Sequence, residues 1–166
     1  GADVVMTYGS NSSNHCRIIA NMASAMGLAC HIISPQENRE ILYNTRLVED
    51  FGAVIETCPV TEVSETIDRR VETYRREGKN PYFILGGGHG NPGTRACVNT
   101  YREIAAYEEL TGIHFDYIFH ASGTGTTQAG LVSGKLMTED ERRKTGKTLL
   151  HQKIVGISIA RNEERG

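Results

Sequence analysis

One hexapeptide of this sequence combines the residue types and the spacing of an anion-binding loop. It follows an apolar run typical of a β-strand and leads into TQAGLVSGKLM, a segment typical of a helix. Glycines let a backbone approach a ligand closely, and the unpaired N–H groups and dipole of a helix start attract negative charge. The pattern therefore predicts a phosphate site. Its residues are Ser122, Gly123, Thr124, Gly125, Thr126 and Thr127.

This 122–127 loop differs from two common nucleotide-binding motifs. No lysine follows its second glycine, so the GxxxxGK[ST] frame of nucleotide P-loops is absent. Gln128 replaces the third glycine of a dinucleotide fingerprint, and Arg161 stands where an acidic residue is expected after the next strand. A single phosphate monoester fits the loop better. A tight turn without a ligand is an equally common use of a G-x-G sequence.

A second group of polar side chains precedes the first predicted helix. Ser13, Asn14 and His15 offer a hydroxyl, an amide and an imidazole within one turn. Because their loop follows a strand and opens a helix, these side chains should project from the carboxyl edge of a sheet. Taken alone, the trio is more typical of helix capping beside a solvated histidine.

The other histidines are weaker candidates for a functional site. His89, in the turn GGGHGN, is the only other histidine on a plausible site loop. The remaining four lie inside predicted strands or beside turns, and we expect structural roles for them. They are His31, His114, His120 and His151.

The elements that must position these loops alternate along the whole chain. Short apolar runs predict strands, and the amphipathic stretches between them predict crossover helices, which is the pattern of a mainly parallel sheet in an α/β protein. The predicted strands span residues 3–8, 29–33, 53–57, 82–85, 116–120 and 154–159.

The first helix should begin at Ser13 or Asn14, both good capping residues, and end before Gly27. Apolar residues on one face of this helix are spaced as in a core-facing stripe, and we expect that face to be buried. The stripe consists of Ile18, Met22, Ala25 and Met26.

Later segments complete the pattern. A helix over residues 61–77 is expected to bury an apolar stripe made of Ile67, Val71 and Tyr74. A glycine-rich turn over residues 86–93 precedes a helix over residues 94–110, and it indicates a boundary between two lobes. Residues 138–152 are polar, weakly periodic and rich in both signs of charge, and we interpret them as an insertion.

The bulk composition excludes several classes of protein. A formal net charge of −2 and an isoelectric point near 6.3 give no overall field for nucleic acid or an anionic membrane. The four cysteines lie far apart without the spacing of a zinc site, so reduced thiols are expected. No apolar run approaches the about 20 residues of a membrane span, and no signal peptide is recognisable. We expect a cytoplasmic protein.

Four segments in the same order resemble one enzyme family. They are GSNSSNHCRIIANMASAMGL, PYFILGGGHGNPGTRACVNTYREI, DYIFHASGTGTTQAGLVSG and KIVGISIAR. Each is similar to a motif of the D-cysteine desulfhydrases and 1-aminocyclopropane-1-carboxylate deaminases, which depend on pyridoxal 5'-phosphate. The resemblance implies three-layer parallel-sheet lobes of the tryptophan-synthase-β-like fold. Residues 1–85 would form the small α/β lobe and residues 86–166 part of the large cofactor-binding lobe.

The resemblance also implies roles for the residues singled out above. Ser13 matches a hydroxyl beside the cofactor that assists chemistry at the substrate, and Asn14 matches an amide that binds the phenolic oxygen of the pyridine ring. His15 falls where desulfhydrases tend to have histidine and deaminases have glutamine, and we count it with Ser13 as a catalytic candidate. The phosphate cradle would be Gly123, Thr124, Gly125, Thr126 and Thr127.

The sequence departs from the family pattern in several places. Ser12 replaces a glutamine, while His89 and Gly90 replace the serine and asparagine of a G-G-S-N turn. None of the five lysines matches the motif of the lysine that binds the cofactor covalently, so these 166 residues alone are expected to be inactive. The lysines are Lys79, Lys135, Lys144, Lys147 and Lys153.

For the intact protein, the resemblance implies a lyase that splits a small amino acid such as D-cysteine into pyruvate, ammonia and sulfide, acting as a homo-oligomer. Deamination of 1-aminocyclopropane-1-carboxylate, or a related amino-acid elimination, is the alternative within the family. A noncatalytic module that binds phosphate or a nucleotide remains an alternative from another class.

Overall fold

Helices and strands alternate along the chain, and every strand pair among the described residues is parallel. The computed structural model describes residues 1–10, 12–36 and 41–159. Within these ranges the predicted α/β class is confirmed. The chain separates into two compact units, Gly1–Gly87 and Gly88–Gly166.

The first unit is a parallel sheet with helices between its strands. The strands lie side by side in the order β3-β2-β1-β4. Because β1 is internal to the sheet, the loop after it leaves the middle of the carboxyl edge. In chain order the elements are β1 (Val4–Tyr8), α1 (Asn14–Ala25), β2 (Ala29–Pro35), α2 (Tyr43–Asp50), β3 (Val54–Cys58), α3 (Val63–Arg76) and β4 (Pro81–Ile84).

The face of α1 that packs in the core is not the predicted one. Cys16, Ala20 and Ala23 are buried and contact a cluster that includes Ile32 and Val48. The stripe predicted as core is exposed instead: Ile18 is 49%, Met22 55% and Met26 68% exposed, and Ala25 is exposed as well. Both stripes have helical spacing, so periodicity alone could not choose between them. The smaller side chains let the helix approach the sheet more closely.

α3 contributes a polar cluster to the sheet. His31 of β2 is buried, and its Nδ1 lies 2.8 Å from the hydroxyl oxygen of Tyr74. Its Nε2 lies 3.1 Å from Oε2 of Glu56. Each of the two carboxylate oxygens of Glu56 accepts a hydrogen bond from Arg70. Side chains alternate along a strand, so His31 faces away from the side occupied by its neighbour Ile32. Tyr74, like Ile67 and Val71, is half-buried rather than buried.

Burial and neighbouring charges shift the pKa values of His31 and Glu56. Burial lowers the pKa of His31 below the ordinary value of 6.5, against the opposing effect of the Glu56 carboxylate. Burial alone would raise the pKa of Glu56, but the hydrogen bond and charge of Arg70, with smaller effects from His31 and Arg69, hold that pKa below its ordinary value. In the folded protein His31 therefore resists protonation.

The second unit pairs two parallel strands with two long helices. Its core consists of Tyr101, Ala105, Leu131 and Leu150. The helix after the glycine turn begins at Asn91, earlier than predicted, because Pro92 is compatible with a first helical turn. In chain order the elements are α4 (Asn91–Thr111), β5 (Tyr117–Ser122), α5 (Thr126–Lys144) and β6 (Lys153–Ser158).

The predicted insertion over residues 138–152 is partly wrong. α5 continues to Lys144, and Glu139 within that stretch is buried and paired with Lys135 one turn earlier. This ion pair and the basic residues of the last turn support the helix in a segment with little apolar periodicity. Residues 145–152 connect the helix to β6. Arg161 lies outside the described residues.

Glycines of α5 allow that helix to touch α4. A Cβ atom at Gly130 would lie 2.2 Å from the Cβ of Cys97, and one at Gly134 would lie 2.7 Å from the Cβ of Tyr101. Near the helix starts, a Cβ at Gly93 would lie 3.1 Å from the Cγ2 of Thr126. The first turns of α4 and α5 are therefore close neighbours in the second unit.

Three further expectations concern cysteines, metal sites and membrane-spanning helices. All four cysteines are free, and Cys97 is only partly buried whereas the others are buried. Among the described residues, no group of histidine, cysteine, aspartate and glutamate side chains could hold a metal ion. No described helix has the length and apolar character needed to cross a membrane.

Acidification should destabilise the protein through His31. The folded pKa of His31 lies below its unfolded value of 6.5, so below that pH the unfolded chain binds more protons and the free energy of unfolding falls. The loss levels off once the pH is below the folded pKa. Urea titrations followed by circular dichroism between about pH 7.5 and about pH 5.5 measure this slope. His31→Gln should have a shallower slope; equal slopes would contradict the assignment.

Candidate functional site

Ser13 caps α1 and keeps a proton that it can donate. Its Oγ accepts a hydrogen bond from the backbone N–H of Cys16 at 3.4 Å, which fulfils the capping interpretation of this residue. A hydroxyl has one donor proton besides its acceptor lone pairs, so accepting at the cap does not use that proton. Ser13 can therefore be both a helix cap and a hydrogen-bond donor.

Asn14 is oriented by a residue that no sequence motif indicated. Asn44, in the first turn of α2, donates from Nδ2 to the carbonyl oxygen of Ser12 at 2.8 Å and to Oδ1 of Asn14 at 3.1 Å. Arg17 also approaches that Oδ1, at 3.4 Å. Since Oδ1 of Asn14 accepts these bonds, its NH₂ group is the end that can donate to a ligand. α2 thus determines the direction of the Asn14 amide.

His15 is attached to the sheet rather than being only solvated. Its Nε2 lies 2.8 Å from the Oγ1 of Thr7, a fully buried residue of β1. Thr7 in turn donates to the carbonyl oxygen of Ile84 in β4, also at 2.8 Å. Ser13, Asn14 and His15 therefore occupy the first turn of α1, just beyond the carboxyl end of β1, as the sequence predicts for a site loop.

The 122–127 loop has the properties of an anion site in the second unit. Gly125 is the N-cap of α5 with a φ of +81°, and a glycine has no side chain with which to cap the helix. The Oγ1 of Thr124 accepts a long hydrogen bond, 3.5 Å, from the backbone N–H of Thr126. The hydroxyl oxygens of Thr124 and Thr126 lie 3.0 Å apart. The first turn carries no acidic residue, whereas the last turn is basic. The first turn of α5 thus contributes no carboxylate at the positive end of the helix dipole, which suits a phosphate monoester.

A histidine–glutamine pair ties the two ends of this loop together. His120 of β5 is hydrogen-bonded through Nε2 to the Oε1 of Gln128 in the first turn of α5. Gly156, opposite His120 on β6, leaves room for the pair: a Cβ there would lie 2.8 Å from that Oε1 and 3.2 Å from the His120 ring. The sequence indicated Gln128 only as the residue that replaces the third glycine of a dinucleotide fingerprint, and it predicted only a structural role for His120.

The predicted site residues thus form two groups, one in each unit. The first group follows β1 and the second follows β5, in both cases where a parallel strand ends and a helix begins. His89 is exposed in the turn before α4, within the second unit. Thr7, Asn44 and the His120–Gln128 pair are additions that the tertiary structure reveals.

Comparison with known proteins places these features in a family. Residues 1–163 match the family described as pyridoxal-phosphate dependent enzyme. D-cysteine desulfhydrase from Serratia proteamaculans is 29% identical over 174 residues, covering 97% of this chain and 48% of the relative. 1-Aminocyclopropane-1-carboxylate deaminase from Methylobacterium nodulans is 28% identical over 156 residues, covering 88% of this chain and 46% of the relative.

A solved structure supports the same fold. The crystal structure of an ACC deaminase homologue has a TM-score of 0.74 and 25% sequence identity, with 94% of this chain and 56% of that chain covered. This chain spans about half the length of the curated relatives it matches.

Phosphate binding should depend on Gly125. Gly125→Ala places a Cβ on a left-handed backbone at the proposed anion site, so binding of inorganic phosphate, measured by calorimetry, should weaken beyond detection. Gly112→Ala is the matched control, because Gly112 has a similar φ of +70° and open surroundings at the far end of α4. Each variant should lose about 1 kcal/mol of stability through backbone strain. Equal phosphate affinity in both variants would contradict the site.

Removing the Asn44 amide should release Asn14. Asn44→Ala is expected to cost about 1 kcal/mol of stability for the lost hydrogen bonds, and to shift the side-chain amide resonances of Asn14 in ¹⁵N spectra. Asn21→Ala, at an exposed position of α1, should leave the Asn14 resonances unchanged and should not lower stability, because alanine is the better helix former. Unchanged Asn14 resonances in Asn44→Ala would show that α2 does not orient this amide.

Proposed function

Because the chain belongs to the family of pyridoxal-phosphate-dependent enzymes, we propose that the protein is an amino-acid lyase of the D-cysteine desulfhydrase type. The reaction would convert D-cysteine and water into pyruvate, ammonia and sulfide. The observation that carries this proposal is the turn after β1. There the Ser13 hydroxyl caps α1, Asn44 orients the amide of Asn14, and the imidazole of His15 contacts Thr7 of the sheet.

The residues present suit pyridoxal phosphate. The 122–127 loop would hold its phosphate, since that helix start has donors, partial positive charge and no carboxylate in its first turn. Asn14 would donate from its NH₂ group to the phenolic oxygen, because Asn44 and Arg17 already use its Oδ1. Bound pyridoxal phosphate supplies an electron sink, which the protein must orient toward the substrate.

Ser13 and His15 would handle protons. The hydroxyl of Ser13 would donate at the substrate while its oxygen stays anchored by the N–H of Cys16. An imidazole can both donate and accept a proton, so His15 suits a reaction that releases a thiol. Desulfhydrases tend to have histidine at the position of His15, whereas the deaminases have glutamine. This difference is the reason for preferring the desulfhydrase reaction.

Deamination of 1-aminocyclopropane-1-carboxylate is the second candidate. Relatives named for either activity have nearly equal identity to this chain, 29% and 28%. Ser12 and His89, which differ from the family pattern, stand on the two loops where substrate preference could change. None of the five lysines in these 166 residues lies in the family's motif for the lysine that binds the cofactor covalently. The activity is therefore proposed for a complete polypeptide that contains this sequence and such a lysine.

Product assays on that polypeptide test the proposal. With D-cysteine we expect sulfide and pyruvate in equal amounts, and little sulfide with L-cysteine. Release of 2-oxobutanoate from 1-aminocyclopropane-1-carboxylate at a higher kcat/KM than D-cysteine turnover would favour the second candidate. Absence of both activities in protein loaded with pyridoxal phosphate would refute both.

Substitutions at Ser13 separate catalysis from helix capping. Ser13→Asn keeps a capping oxygen but removes the hydroxyl, and Ser13→Thr keeps both. We expect kcat to fall by about 10² or more in Ser13→Ala and Ser13→Asn, and Ser13→Thr to retain most of it. Only Ser13→Ala should lose about 1 kcal/mol of stability. If Ser13→Asn turned over normally, Ser13 would be a cap and not a catalytic residue.

A further inference from the structure

We infer that Thr7 is a positioning residue that holds the His15 ring with a proton on Nε2. The inference deepens the proposed function, because it says in which form His15 would act. It rests, however, on hydrogen bonds within the first unit, and it can be measured without any substrate or cofactor.

The chain of contacts joins three elements. The carbonyl oxygen of Ile84 lies 2.8 Å from the Oγ1 of Thr7, and that Oγ1 lies 2.8 Å from the Nε2 of His15. Thr7 and Ile84 are partners in the parallel register of β1 and β4, and His15 is in the first turn of α1. Thr7 is fully buried. Its hydroxyl therefore connects the sheet to the imidazole.

Counting protons decides the direction of each bond. A carbonyl oxygen can only accept, so the hydroxyl of Thr7 must donate to Ile84. A hydroxyl has one proton, and once that proton is used its oxygen can only accept from other groups. His15 must therefore donate to Thr7 from an Nε2–H group.

This assignment constrains the chemistry of His15. A neutral imidazole carries one proton, so with Nε2 protonated its lone pair is on Nδ1. Any proton that the neutral ring accepts then goes to Nδ1, while Nε2 stays directed at the sheet. The buried hydroxyl also keeps the ring from rotating, since rotation would leave Thr7 with an unfilled acceptor in the interior.

The threonine at position 7 contributes both a hydroxyl, which forms the hydrogen bonds, and a methyl group, which fills space. Valine has a similar size but no hydroxyl, so Thr7→Val would fill the space between β1 and α1 without selecting a tautomer. It would also remove the hydrogen bond to the carbonyl oxygen of Ile84, which should lower stability. Serine keeps the hydroxyl and loses a methyl group. Thr7→Val and Thr7→Ser therefore form a matched pair that separates hydrogen bonding from packing.

The test is nuclear magnetic resonance of the protein with ¹⁵N-labelled histidine. Two-bond correlations between ring protons and ring nitrogens show which nitrogen of His15 is protonated, and His15→Gln assigns the signals. In the unsubstituted protein near neutral pH we expect a protonated Nε2. Thr7→Ser should keep that pattern. Thr7→Val should shift both ring-nitrogen signals toward the average of the two tautomers.

Two results would overturn the inference. One is an unprotonated Nε2 in the unsubstituted protein, a measurement that needs no variant and so stands even if Thr7→Val fails to fold. The other is a folded Thr7→Val protein with unchanged His15 signals. Lack of lyase activity alongside a protonated Nε2 would instead count against the proposed function and leave the role of Thr7 standing.

Discussion

Parallel strand order is the constraint on which the other features depend. Two parallel neighbours cannot be joined by a tight turn, so a helix follows each of the strands β1 to β5 along the chain and brings it back. The carboxyl ends of β1 and β5 therefore lie next to helix starts, where the first N–H groups have no partner within the helix. Both groups of candidate residues occupy such junctions, after β1 and after β5. The two junctions differ mainly in their N-cap residue: the side chain of Ser13 caps α1, whereas the N-cap of α5 is Gly125, which has no side chain.

Buried or half-buried polar side chains beside these junctions hold the candidate residues in place. Each of them is satisfied by groups that are distant in the sequence, because an unpaired polar group in the interior is costly. Thr7 links His15 to β4, Asn44 links Asn14 to α2, and Gln128 links the start of α5 to His120. A loop held in this way can keep its donors directed at a ligand before the ligand arrives, which reduces the entropic cost of binding.

Close packing of backbones is the second requirement of the second unit. α4 and α5 touch at Gly130 and Gly134, so their first turns come together beside the 122–127 loop. The glycine at position 156 serves a related purpose, since it leaves room for the His120–Gln128 pair. Side chains larger than hydrogen at these positions would force the elements apart and move the loop that they support.

The sequence by itself determined the order of strands and helices, the α/β class and the two loops with ligand-like chemistry. These are local properties: apolar runs, helix caps, and glycines next to hydroxyl residues within a few positions. It could not decide which stripe of α1 is buried, because Cys16, Ala20 and Ala23 and the stripe through Ile18 and Met22 have equally good helical spacing. Likewise, the charge-rich sequence at the end of α5 did not predict that the helix, which an ion pair stabilises, continues to Lys144. Only the tertiary structure selected Thr7, Asn44 and His120 as partners of the site residues, since hydrogen bonds across 8 to 77 positions of sequence depend on how strands and helices pack.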